Sequence, residues 1–134
     1  MTTIITYSDD KNQIAAHVAE VFKRSGIKRP YDDLDRIQAM IEQADVLITA
    51  WQDGEMVGVA RALTDYCYCC YLSDLAVDLS CQKQGIGKEL IRQVQEHIGE
   101  QCSLVLISAE GAVDFYTGLG LPKSDRAFVV PRVK

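Results

Sequence analysis

Three strand-like runs crowd into residues 45–77, and the turns between them leave room only for antiparallel pairing. Asp45–Trp51 (DVLITAW), Glu55–Leu63 and Tyr66–Val77 (YCYCCYLSDLAV) are rich in β-branched, aromatic and small residues. Asp53-Gly54 joins the first two runs. Both central residues of a type I′ turn need positive φ, which this pair tolerates. Asp65 sits in the second turn. Parallel neighbours need a crossover of a dozen or more residues, so this block predicts an antiparallel meander.

The flanking segments alternate between the two regular structures. Thr2–Tyr7 reads as a strand. Ser8-Asp9-Asp10 offers cap residues for a helix whose apolar stripe is Ile14, Val18, Val21 and Phe22, ended by Gly26. Asp32 or Asp33 caps a second helix bearing Leu34, Ile37 and Ile41. A third carries Leu90, Ile91, Val94 and Ile98, with Gly99 as its stop. Ser103–Ile107 (SLVLI) is continuously apolar, as a central strand covered on both faces would be. Glu110–Gly118 reads as a short helix and Ala127–Val130 (AFVV) as a last strand. The order is β-α-α-β-β-β-α-β-α-β. The later β-α-β unit requires a right-handed crossover. An α/β (α+β) fold follows: a mixed, mostly antiparallel central sheet with helices on both faces, in a single domain spanning 1–134.

Composition narrows the function. Fourteen basic against nineteen acidic residues give a net charge of −5, which disfavours nucleic acid as a partner, since phosphate binding needs a basic face. No apolar run approaches the ~20 residues of a membrane span, and the N-terminus lacks a secretory pattern, so a cytoplasmic protein with no membrane partner is expected. Five cysteines (Cys67, Cys69, Cys70, Cys81 and Cys102) form no paired C-x-x-C, and His17 and His97 both lie in helical stretches. Buried thiols are expected, with no metal.

Leu75–Leu90 (LAVDLSCQKQGIGKEL) carries the chemistry. A strand ends at Val77, and Gly85-Ile86-Gly87 opens a helix after a polar loop. The first amides of a helix lack internal partners and carry partial positive charge, so they suit a phosphate. Lys88 adds a charge in the same turn. A Walker A loop is excluded, because Gln82 replaces its first glycine and Glu89 its Ser/Thr. A dinucleotide fingerprint is excluded by Leu90 at its third glycine position.

What remains, Gln82-Lys83-Gln84-Gly85-Ile86-Gly87, resembles the Q/R-x-x-G-x-G/A signature of the GNAT-type N-acetyltransferase superfamily. Gly111–Leu121 (GAVDFYTGLGL) resembles its A-x-x-F-Y-x-x-x-G-F segment, with Ala112, Phe115 and Tyr116 in place. The element order agrees over nearly the whole chain.

The resemblance implies acetyl-coenzyme A as cosubstrate. Gln82, Lys83, Gln84, Gly85, Ile86, Gly87 and Lys88 would hold its pyrophosphate. The edge of Leu75, Ala76 and Val77 would pair with its pantetheine arm, in the gap where that strand splays from Leu106–Ser108. Ser108 stands where many relatives carry Asn, and it and Ala112 would contact the coenzyme. Tyr116 would protonate the leaving thiolate, and an amide near Leu75–Val77 would meet the oxyanion. Asp74 is the best candidate base for the amine, with Glu110 and Asp65 as weaker options. Phe22, Tyr31, Trp51, Arg61, Tyr66 and Tyr68 are candidates to line the acceptor pocket, under a lid at Gly26–Tyr31.

The expected activity is acetyl transfer to the primary amine of a small molecule by direct attack in a ternary complex, in a possible homodimer. The alternatives are a domain that binds or senses acetyl-coenzyme A without turnover, and a protein lysine or N-terminal acetyltransferase.

Overall fold

A computed structural model describes residues 4–134. The elements are β1 (Ile5–Ser8), α1 (Ala15–Ser25), α2 (Leu34–Gln43), β2 (Val46–Gln52), β3 (Glu55–Thr64), β4 (Cys69–Val77), α3 (Ile86–Ile98), β5 (Ser103–Val105) and α4 (Val113–Gly118), with 3-10 turns at Leu79–Cys81 and Glu110–Ala112. One five-stranded sheet runs in the order β1-β2-β3-β4-β5. All its pairs are antiparallel except β4–β5, which is parallel. This is the mixed, mostly antiparallel sheet expected from the sequence.

Side chains alternate across the strands and divide the core in two. Val46, Ile48, Val57 and Ala60 join Ile86, Leu90, Ile91 and Val94 of α3 on one face. Leu47, Met56, Val59 and Ala76 join Val18, Phe22, Ile37 and Ile41 of α1 and α2 on the other. Helices therefore cover both faces. Each fully buried Leu, Ile or Val contributes roughly 1.5–3 kcal/mol, so the two stripes pin α3 and α1 to the sheet. Gly58 lets α3 approach β3: a Cβ there would stand 3.2 Å from Ile86, Leu90 and Ala50.

The turns follow their residues. Asp53 and Gly54 both take positive φ, 51° and 80°, as the β2–β3 hairpin requires. Gly26 ends α1 at φ 83°, and the Asp33 carboxylate accepts the amide of Arg36 to cap α2. The start of α1 differs from expectation. Its cap position is Ile14, with no side-chain bond, because Ser8 and Asp10 accept the amides of Asp10 and Asn12 in a local turn instead. The first strand begins at Ile5 among the described residues; Thr2 and Thr3 lie outside them.

Two expectations fail together. Ala127–Val130 forms no strand, and Phe128 and Val130 are almost wholly exposed. A strand persists only with a ladder partner, and this segment has none among the described residues. Without it, β5 is the sheet edge rather than a doubly covered central strand, and Val105 is half exposed. Its pairing stops after three residues.

Candidate active site

β4 and β5 part early. Their ladder comprises Cys69–Ser103, Cys70–Leu104 and Tyr71–Val105. Beyond it, Leu72–Val77 has β3 on one side and no strand on the other among the described residues, while Leu106–Ser108 leaves the ladder. The result is a cleft walled by the free backbone edge of β4. A bulge sits at its mouth. Arg61 faces Asp74, but Ala62 faces Leu72, so Ser73 is the extra residue on β4.

The cradle lies at the far end of that edge. Asp78 is pushed up by burial, but its bonds from the Ser80 amide and hydroxyl and the nearby Arg24 outweigh this and hold its pKa low. This fixes the turn at Leu79–Cys81. The chain then reverses through Lys83 at φ 67° and Gly85 at φ 81°. Gln82 donates its side-chain amide to the Val77 carbonyl at 3.4 Å, tying loop to strand. Among the described residues, no backbone carbonyl or side chain accepts the amides of Lys83 through Lys88; the first helical bond of α3 is Glu89 N–H to Gly85 at 3.0 Å. A run of free amides at the positive end of a 13-residue helix fits an anion such as a diphosphate. Ile86 is core, and Lys88 is exposed beside the amides.

Gly87 has a different reason from Gly85. Its missing side chain makes room for the Phe115 ring of α4 rather than for a ligand. Phe115 and Tyr116 meet edge-on at 5.0 Å. Tyr116 is half buried against the α3-side core, and burial holds its phenol above the ordinary value, a shift partly opposed by the Arg29 guanidinium. Ala112 ends the 3-10 turn that leads into α4. Ser108 donates its hydroxyl to the Ala109 carbonyl at 2.7 Å.

Asp74, the candidate base, lies deep in the fold. It is 1% exposed. One carboxylate oxygen accepts Arg61 Nε at 2.5 Å, and the other accepts Arg29 Nε. Its oxygens are engaged by two guanidinium groups and its side chain is fully buried. Asp65 accepts the amides of Cys67, Tyr68 and Cys69, which hold its pKa near 2. Glu110 is exposed in its turn.

Of the pocket candidates, Phe22 is fully buried core. Tyr31 and Trp51 are half buried against the α1–α2 side. Tyr66 donates to the Asp45 carbonyl, and Tyr68 projects into solvent. Arg61 is buried, donating to Asp74, the Ser73 hydroxyl and the Met40 carbonyl. Arg29, within the Gly26–Tyr31 segment expected as a lid but not singled out there, reaches across from the α1–α2 loop to Asp74 and the Ser73 carbonyl.

Among the described residues no cluster of three His, Cys, Asp or Glu side chains could hold a metal, and no helix is long and apolar enough to cross a membrane.

Comparison with known proteins agrees with this architecture. Residues 5–132 match the family model described as acetyltransferase (GNAT) domain. The GCN5-related N-acetyltransferase 2, chloroplastic, of Arabidopsis thaliana is 34% identical over 74 residues, 52% of this chain. Those residues span only 28% of that longer relative. A GNAT-family acetyltransferase from Streptococcus pneumoniae TIGR4 superposes with a TM-score of 0.76 at 20% identity, covering 98% of this chain and all of that one. An aminoglycoside N-acetyltransferase solved in complex with CoA gives 0.73 at 18% identity, covering 100% of this chain and 98% of that one. At those identities the likeness is one of fold.

Proposed function

This chain belongs to the GNAT acetyltransferase family, and on that premise we propose that it is an N-acetyltransferase moving an acetyl group from acetyl-coenzyme A to the primary amine of a small molecule, by direct attack with both partners bound. One observation carries the reading: the unaccepted amides of Lys83–Lys88 lie just past the end of the free β4 edge. That spacing suits a ligand with a diphosphate at one end and an amide-bearing arm at the other. Acetyl-coenzyme A has that form, and it supplies an acyl thioester activated toward amines.

We assign the roles by position. The amides of Lys83, Gln84, Gly85, Ile86, Gly87 and Lys88, with the Lys88 ammonium, hold the diphosphate, and Gln82 braces the loop. Leu75, Ala76 and Val77 offer backbone bonds to the arm, as an added strand would take them; an amide among them also faces the acyl oxygen. Ala112 lines the gap, and Ser108 does so with its hydroxyl turned to its own backbone. Tyr116, kept protonated by burial, gives its proton to the sulfur as the thiol leaves. Asp74 we assign to holding Arg29 and Arg61, and the amine's proton to solvent at the open cleft.

The reading extends to a cytoplasmic protein, with a homodimer covering the apolar Phe128 and Val130. Titration calorimetry with acetyl-coenzyme A, followed by thiol release against amines, tests the core of it. Binding that is lost when Gly85 and Lys88 are replaced supports the cradle. No heat on titration, or undiminished binding after those replacements, refutes it. Binding with silence across all amines favours a sensing domain.

A further inference from the structure

The chain is acidic overall, yet its cleft is not. Two guanidinium groups, Arg29 and Arg61, face a single carboxylate, Asp74, and among the described residues no other acidic group pairs with either arginine. One positive charge is left in excess beside two buried partners: Asp74 is 1% and Arg61 8% exposed. An unmatched charge so placed is costly unless an anion meets it.

The excess is not spread evenly. Arg61 is enclosed, donating to Asp74, the Ser73 hydroxyl and the Met40 carbonyl. Arg29 keeps 29% of its side chain exposed. Of its five N–H donors, three are engaged, with Asp74, the Lys28 carbonyl and the Ser73 carbonyl. Two remain for a ligand.

The position of Arg29 is set by the fold. It bonds the bulge at Ser73, where β4 loses its β5 partner, and its charge is felt by the Tyr116 phenol. On the reading above, Tyr116 stands at the sulfur of the thioester. An amine attacking the neighbouring carbon therefore brings its nearest substituents toward Arg29. A guanidinium with two free donors recognises a carboxylate in preference to a neutral amide or a cation.

We propose that the acceptor is an amine bearing a carboxylate close to its nitrogen, an amino acid or a relative of one, and that Arg29 binds that carboxylate. Polyamines and aminoglycosides, which bring several positive charges, are repelled by the same residue. The proposal rests on the acetyltransferase reading.

The test is thiol release with acetyl-coenzyme A against the common L-amino acids, each paired with its α-amide, together with spermidine and kanamycin. At least one amino acid should exceed its amide in kcat/KM by about tenfold or more, the effect expected for a charge-assisted bond. Arg29→Gln should abolish that preference through KM, leaving the calorimetric affinity for acetyl-coenzyme A unchanged. Arg29→Lys should keep part of it. The wild-type comparison of acid with amide stands even where a variant folds poorly. Equal rates for acid and amide, a preference that survives Arg29→Gln, or turnover of no carboxylated amine would overturn the proposal. If acetyl-coenzyme A binds in those cases, only the acceptor assignment falls. Failure of acetyl-coenzyme A to bind overturns the enzyme reading along with it.

Discussion

The Phe115 ring stands where a side chain on Gly87 would begin: a methyl group there would lie 2.9 Å from Cζ. The helix that offers the amides and the helix that offers Tyr116 thus touch through one absent side chain. Gly87→Ala sets two effects against each other. Alanine favours the helix by about 1 kcal/mol, while the contact forces Phe115, 41% exposed and free to swing, to move. Stability should therefore change little, with Tm shifted by only a few degrees. Tyr116 packs edge-on against the Phe115 ring at 5.0 Å and shifts when that ring moves. A misplacement of about 1 Å costs up to a hundredfold, so kcat should fall tenfold or more. Differential scanning calorimetry beside steady-state kinetics checks the split; a large drop in Tm with kcat intact would contradict it.

Tyr116→Phe removes only the phenol oxygen. The ring keeps its place against the core, so coenzyme affinity should stay within about threefold, while kcat falls by 10²-fold or more, the ordinary share of a general acid. The sign of the pH dependence follows from burial. A raised phenol pKa leaves the acid form present up to and beyond about pH 10, so Tyr116 should impose no loss of kcat below that pH. A decline in kcat near pH 8 that vanishes in the Phe variant would show that burial does not protect the proton.

What was legible in the sequence was whatever local rules govern. Asp53-Gly54 and Gly26 read as positions for left-handed residues, and the structure gives each one. The helix stripes carried their own period. What stayed hidden depends on residues far apart in the chain. Arg29 and Asp74 are separated by 45 positions, and within the expected lid at Gly26–Tyr31 nothing singles out Arg29. Asp74 read as a candidate base because a strand carboxylate near a cleft fits that role when taken alone; its bonds from Arg29 and Arg61 are visible only in the fold. Ala127–Val130 has a strand's composition, but pairing is settled by a neighbour, not by propensity.

Asp65 offers a pH-dependent test of the β3–β4 turn. Three amides lower its pKa to about 2 from an ordinary value of about 3.9. The native state thus binds this proton less readily than the unfolded chain does. Its contribution to stability is full above about pH 4 and disappears as the pH falls toward 2. Asp65→Ala should lower Tm at pH 7, and its gap from wild type should shrink through that window. A gap that is constant from pH 6 to pH 2 would show that the carboxylate charge plays no part in holding the turn.

Asp74→Asn separates the two roles for this residue. If Asp74 is an anchor, removing its charge leaves Arg29 and Arg61 without a counter-ion in a site that excludes water. Breaking a buried pair from one side costs about 3–5 kcal/mol, a large share of the roughly 5–15 kcal/mol that holds a domain together. The urea midpoint should fall accordingly, with little change in slope. Arg29 also loses its charged partner and is held, among the described residues, only by its bonds to the Ser73 and Lys28 carbonyls, so KM for the acceptor should rise more than kcat falls. A base would give the opposite pattern: the midpoint would hardly move, kcat would collapse, and the acid limb of the pH–rate profile would vanish. Denaturation and kinetics on the same variant decide between the two.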